Sequence, residues 1–133
     1  MWKKLLVVAV LLGFAGSYPP TRAVMANAMA PALEKLGPVG QRALEPARRY
    51  DAKNEVEFIA DQLNLQRTEG RAVPNPRTFQ QWLKQHVTTR RDGVDPWGKP
   101  YYLARNGKTH VVGSEGRDGE PGTADDIRVP LPF

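Results

Sequence analysis

The residues of this chain that could do chemistry crowd into one stretch near its carboxy end. Glu115, Asp118, Glu120, Asp125 and Asp126 face only Arg117 over twelve residues, a local charge of −4. Carboxylates this close repel one another unless water or a cation screens them. Calcium is the cation whose chemistry suits such a loop, because it takes about six to eight oxygens from carboxylates and backbone carbonyls. Gly116, Gly119, Gly122 and Pro121 let the segment curl so that both kinds of oxygen converge. The EF-hand pattern is not met, since glycine directly follows Asp118 and Val129 stands where the twelfth-position glutamate would be. Composition leaves two readings open here, a solvated acidic turn and a calcium site.

Other chemistries have little to work with. The chain has no cysteine, which removes disulfides, thiolate nucleophiles and cysteine zinc sites together. Its two histidines, His86 and His110, leave no basis for a histidine-rich metal site or a triad. No nucleophile–base pair or carboxylate pair is visible outside the loop, so the chain reads as not an enzyme. The formal net charge of +5 is the sum of unlike parts: residues 1–91 carry +7 and residues 92–133 carry −2. Arg48–Arg49 and Arg90–Arg91 are isolated pairs without interleaved aromatic residues, and they read as solvated charges. No nucleic-acid partner is expected.

The loop needs a frame, and the flanking sequence supplies one. Asp95-Pro96-Trp97-Gly98 is a turn in which Asp95 accepts from the backbone that follows, Pro96 presets φ and Gly98 permits an unusual one. Trp97 is left to bury its ring. Tyr101–Leu103 reads as a strand, Asn106-Gly107 as a type I′ hairpin turn, Thr109–Val112 as the return strand and Ile127–Val129 as a third strand. Upstream, Ala52, Val56, Ile59, Ala60 and Leu63 recur at spacings of three and four within a helical pattern from about Gly40 to Arg67. Glu55, Glu57, Asp61 and Lys53 lie mostly on its other side. Thr78 is the expected N-cap of a shorter helix from Phe79 to about Val87, with Phe79, Trp82 and Leu83 on its apolar face.

At 133 residues the chain has room for one ordinary core, and 12 glycines with 12 prolines make it loop-rich. Lys3 and Lys4 precede an apolar run from Leu5 to Ala15, followed by Gly16 and Ser17, the order of a secretory signal. The run is shorter than the roughly 20 residues of a membrane span. The expected organisation is an export signal or signal anchor at 1–17, a helical linker at 18–49 and a globular domain at 50–133. The product is exported in either case, with contact to the membrane only through the amino-terminal segment if that stays uncleaved.

Two motifs in order, Asp95-Pro96-Trp97-Gly98-Lys99-Pro100-Tyr101 and then Gly116-Arg117-Asp118-Gly119 … Gly122-Thr123-Ala124-Asp125-Asp126-Ile127, resemble the carboxy-terminal domain of the major pseudopilin of bacterial type II secretion, general secretion pathway protein G. The resemblance covers about residues 50–130. It implies an α+β fold, with a long amino-terminal helix packed on a small three-stranded antiparallel sheet and a calcium-binding loop. It implies Asp118, Asp125 and Asp126 as side-chain ligands of calcium, with Glu115 giving its backbone carbonyl. It implies a non-enzymatic structural module linked to secretion across the outer membrane. Other pseudopilin or secretion-system subunits would be its partners, and its place would be periplasmic or anchored to the inner membrane facing the periplasm. The front of the chain departs from that family. Gly13-Phe14 is present, but the apolar run lies before it, and Tyr18 stands where the family carries a glutamate. A second expectation follows from this departure: a free periplasmic calcium-dependent binding protein that reuses the domain outside a pilus.

Overall fold

The structure is a computed structural model that describes residues 28–131, apart from residue 33. The export segment expected at 1–17 and the front of the expected linker lie outside the described residues. The chain divides into two compact units, Met1–Tyr50 and Asp51–Phe133. Helix α1 (Pro38–Thr68) contributes to both. In the first unit Leu44 is buried, with Met29, Ala30 and Ala47 packed against it. Pro46 stands inside α1 and removes one backbone donor from the helical ladder.

In the second unit the order is the remainder of α1, then α2 (Phe79–His86), β1 (Tyr102–Asn106), β2 (Thr109–Ser114) and β3 (Ile127–Pro130). The fold is α+β, with a long helix and a three-stranded antiparallel sheet in the order β1-β2-β3. The expected apolar stripe of α1 is the buried one: Ala52, Val56, Ile59, Ala60 and Leu63 are all within 5% of full burial. They share one core with Phe79, Trp82 and Leu83 of α2, with Leu103 and Val112 of the sheet, and with Tyr101 and Leu131 beside it. Trp82 anchors α2 to α1 through its indole N–H, which donates to Gln66 Oε1 at 2.7 Å.

Register sorts the sheet residues by face. Leu103, Val112 and Val129 are paired across the three strands and face the core with Ser114 and Ile127. Tyr102, Gly113 and Arg128 are paired on the outer face. There the Tyr102 ring occupies the space above Gly113, where an added Cβ would lie 2.5 Å from the hydroxyl.

Three local expectations need correction. Thr78 does occupy the N-cap position of α2, but its side chain caps nothing. Thr78 already sits in a helical conformation, and Asn75 closes the turn before it, its Oδ1 accepting from the N–H groups of Arg77 and Thr78 at 2.9 and 3.0 Å. The hairpin loop is Gly107-Lys108, since Asn106 still pairs with Thr109. Gly107 has φ +62 and Lys108 does not share a positive φ, which fits the II′ pattern with glycine first and excludes type I′. Glu55 is half-buried and faces inward with Asp51, so the acidic side of α1 is not wholly solvated.

Candidate functional site

The acidic segment joins β2 to β3, and its two ends are fixed by the sheet, where Ser114 pairs with Ile127. Inside it, each aspartate closes a piece of backbone. The Asp118 Oδ1 accepts from the Glu120 N–H at 3.0 Å, and the Asp125 Oδ2 accepts from the Asp118 N–H at 2.9 Å. The backbone of Asp118 is thus tied to the Asp125 carboxylate, while the Asp118 carboxylate turns to Glu120. Asp126 takes a different set of partners: its Oδ2 accepts from the Gly122 N–H at 2.8 Å and from Arg128 at 2.5 Å. Its Oδ1 is less engaged, with a single 3.4 Å contact to the Thr123 hydroxyl. Burial pushes the Asp126 carboxyl up, but the Gly122 N–H and the Arg128 guanidinium outweigh it and hold it below the ordinary 3.8. Glu115 is half-buried and lines an open cleft of about 400 Å³ with Tyr102, Pro121 and Arg128 on the outer face of the sheet.

Two glycines shape the curl. Gly116 has φ +68, and a Cβ there would lie 2.4 Å from the Asp125 carbonyl oxygen and 2.7 Å from its Oδ2. Only glycine lets Asp125 come this close. Gly119, at φ +66, sits under the Lys99 side chain, whose Cε would be 2.7 Å from an added Cβ.

Among the described residues no three acidic or histidine side chains form a ready metal-holding cluster. Asp118, Asp125, the less engaged Oδ1 of Asp126 and the loop's carbonyls are a donor set of oxygens alone. That fits calcium, which accepts carbonyls beside carboxylates, and does not fit zinc.

The turn upstream belongs to the same assembly. Asp95 is fully buried; its Oδ1 accepts from the N–H groups of Trp97 and Lys99 at 3.0 and 2.9 Å, as its place in the motif implies. Its second oxygen accepts from the Ser114 hydroxyl at 2.5 Å. Sequence reasoning missed Ser114, because a serine ending a strand carries no signal of a partner 19 residues away. It also missed Arg128, though an arginine two residues past an aspartate in a strand was a usable hint.

A second polar node lies where α1 meets the 88–91 segment. Asp51 is buried and pairs with Arg90 at 3.2 Å and Arg91 at 3.6 Å, so this arginine pair is not merely solvated. Glu55 accepts from the Tyr101 hydroxyl at 2.5 Å and from the Arg90 N–H at 3.1 Å. His86 Nδ1 donates to the Trp82 carbonyl oxygen at 3.0 Å, and its ring stacks on the Trp82 ring at the end of α2.

Residues 41–129 match the protein family described as Type II secretion system (T2SS), protein G. The chain belongs to that family. The match spans β1, β2, α2, nearly all of α1 and β3 as far as Val129. No curated protein and no solved structure matches the chain. The type II secretion protein G family is structural rather than enzymatic, and membership gives the chain a pseudopilin-like part in that system with other secretion-system subunits as its surroundings. Among the described residues no helix is long and apolar enough to cross a membrane.

Proposed function

We propose that this protein is a non-enzymatic structural subunit of a type II secretion assembly, with its globular domain on the periplasmic side of the inner membrane and a calcium ion closing its acidic loop. The observation that carries this reading is the family match over residues 41–129, which takes in both the Asp95 turn and the acidic loop. Calcium would be held by the carboxylates of Asp118, Asp125 and Asp126 and by carbonyl oxygens including that of Glu115. Its charge would offset the local −4. In this reading the ion stabilises the fold and does no chemistry.

Extracellular calcium modules bind at about 0.1–1 mM, so millimolar calcium should stabilise the domain by on the order of 1 kcal/mol. Thermal melting in calcium and in chelator measures it. A parent protein that melts alike in both, or an Asp125→Ala variant that keeps the full calcium response, would remove the ion from this account.

A second reading has its own observation. The apolar run Leu5–Ala15 precedes Gly13-Phe14's polar continuation, and Tyr18 occupies the family's glutamate position. That order supports an exported, free periplasmic binding protein built on the same domain. Sequencing of the mature amino terminus, with fractionation of membrane and periplasm, separates the two. A chain beginning near residue 18 in the soluble fraction favours the free protein, and a membrane-held chain that crosslinks to secretion subunits favours the assembly.

A further inference from the structure

We propose that Asp95, Ser114 and Lys99 are positioning residues of the acidic loop, and that the Asp95–Lys99 turn acts as a clamp that holds the loop in its ion-ready shape. An ordinary turn of this kind needs only one oxygen of Asp95. Here Oδ1 alone accepts both turn N–H groups, those of Trp97 and Lys99. The other oxygen is committed to Ser114, fully buried at the end of β2. The Ser114 hydroxyl oxygen in turn accepts from the Gly116 N–H at 3.1 Å. Gly116 is the residue against which Asp125 presses both its carbonyl and its carboxyl oxygen. A continuous line of contacts therefore runs from the buried turn to one of the proposed ion-binding carboxylates.

The same turn touches the loop a second time. Lys99, its last residue, lies across Gly119, with Nζ 3.2 Å from where a Cβ would stand. Gly119 directly follows Asp118, so the clamp grips the loop beside both Asp118 and Asp125. A loop whose bends are already fixed leaves less backbone for an arriving ion to order, and cation affinity rises with that rigidity. Buried hydrogen bonds such as Asp95–Ser114 hold their geometry well because neither partner has water as an alternative. The two motifs would then occur together because one shapes the other. The inference rests on the calcium reading only for its affinity measurement.

The test uses the full chain and two variants, Ser114→Ala and Lys99→Ala, with calorimetric titration by calcium chloride and residue-level amide hydrogen exchange. Ser114→Ala should weaken calcium binding at least fivefold and speed exchange at Gly116 and Asp118, while the amides of Val56–Leu63 in α1 keep their protection. A purely structural serine would lower protection everywhere and leave the calcium affinity of the folded fraction alone. Parental affinity together with parental exchange at Gly116 overturns the clamp. Should Ser114→Ala lose the α1 protection as well, the exposed Lys99→Ala decides: faster exchange confined to Gly119 and Glu120 supports the clamp, and no change overturns it. Should the parent take no calcium, the calcium reading falls, and the exchange data alone uphold or overturn the clamp by the same criteria.

Discussion

At the scale of single residues, the buried groups make the sharpest statements. Burial first, then the Glu55 hydrogen bond and its charge, push the Tyr101 hydroxyl far above the ordinary tyrosine value of 10.0. The folded state keeps a proton that the unfolded chain releases, so this contribution is complete below pH 10 and is lost as pH rises beyond it. In an alkaline titration followed by tyrosinate absorbance, Tyr101 should ionise only as the protein unfolds, and Tyr101→Phe should delete that late step. A Tyr101 signal that appears before the protein unfolds contradicts the buried hydrogen bond. Glycines give a second contrast. Gly116→Ala combines a positive φ with a collision against Asp125, whereas Gly122→Ala meets only the positive φ, having nothing within 4 Å. Strain of this kind costs about 1–3 kcal/mol per residue, and urea denaturation should place Gly116→Ala clearly above Gly122→Ala. Of such details the sequence showed the Asp95 turn, because its donors lie two and four residues away. It concealed Asp51 with Arg90, which are 39 residues apart and meet only once the helix and the 88–91 segment have packed.

At the scale of elements, periodicity was the reliable guide. The α1 stripe was legible because five apolar residues repeat on one face, and a helix this long has no other way to bury them. Ile59→Ala, at full burial, should cost about 2–5 kcal/mol, while Phe58→Ala, 46% exposed, should change stability by no more than about 0.5 kcal/mol. Chemical denaturation of the two variants checks the assignment of faces, and equal losses would refute it. What periodicity does not fix is where an element begins or turns. Thr78 supplies no side-chain cap, and the hairpin loop moved by one residue to Gly107-Lys108, because each depends on one or two hydrogen bonds rather than on a repeated pattern. The acidic loop was legible as composition and spacing, but its support was not. Ser114 acts on Asp95, 19 residues earlier and outside the sheet, which only packing brings within reach.

At the scale of the whole molecule, the main core lies entirely between Ala52 and Leu131. A fragment spanning residues 51–133 should therefore keep a cooperative thermal transition within a few degrees of the full chain, as followed by circular dichroism. A broad, non-cooperative melt would show that the first fifty residues hold the core together. The sheet has a further consequence, for the order of folding. Its strands lie side by side in the sequence in which they are made, and a two-residue loop closes the first pair. Closing such short loops restricts little chain entropy, whereas the Tyr101–Glu55 contact must close over 46 residues. The strand pairs therefore close over shorter stretches of chain than the docking of α1 onto the sheet does. A chain that emerges from an export channel amino end first would carry its helix exposed until the last strand arrived, which makes the speed of the carboxy-terminal third the measure of how long that apolar face stays open to aggregation.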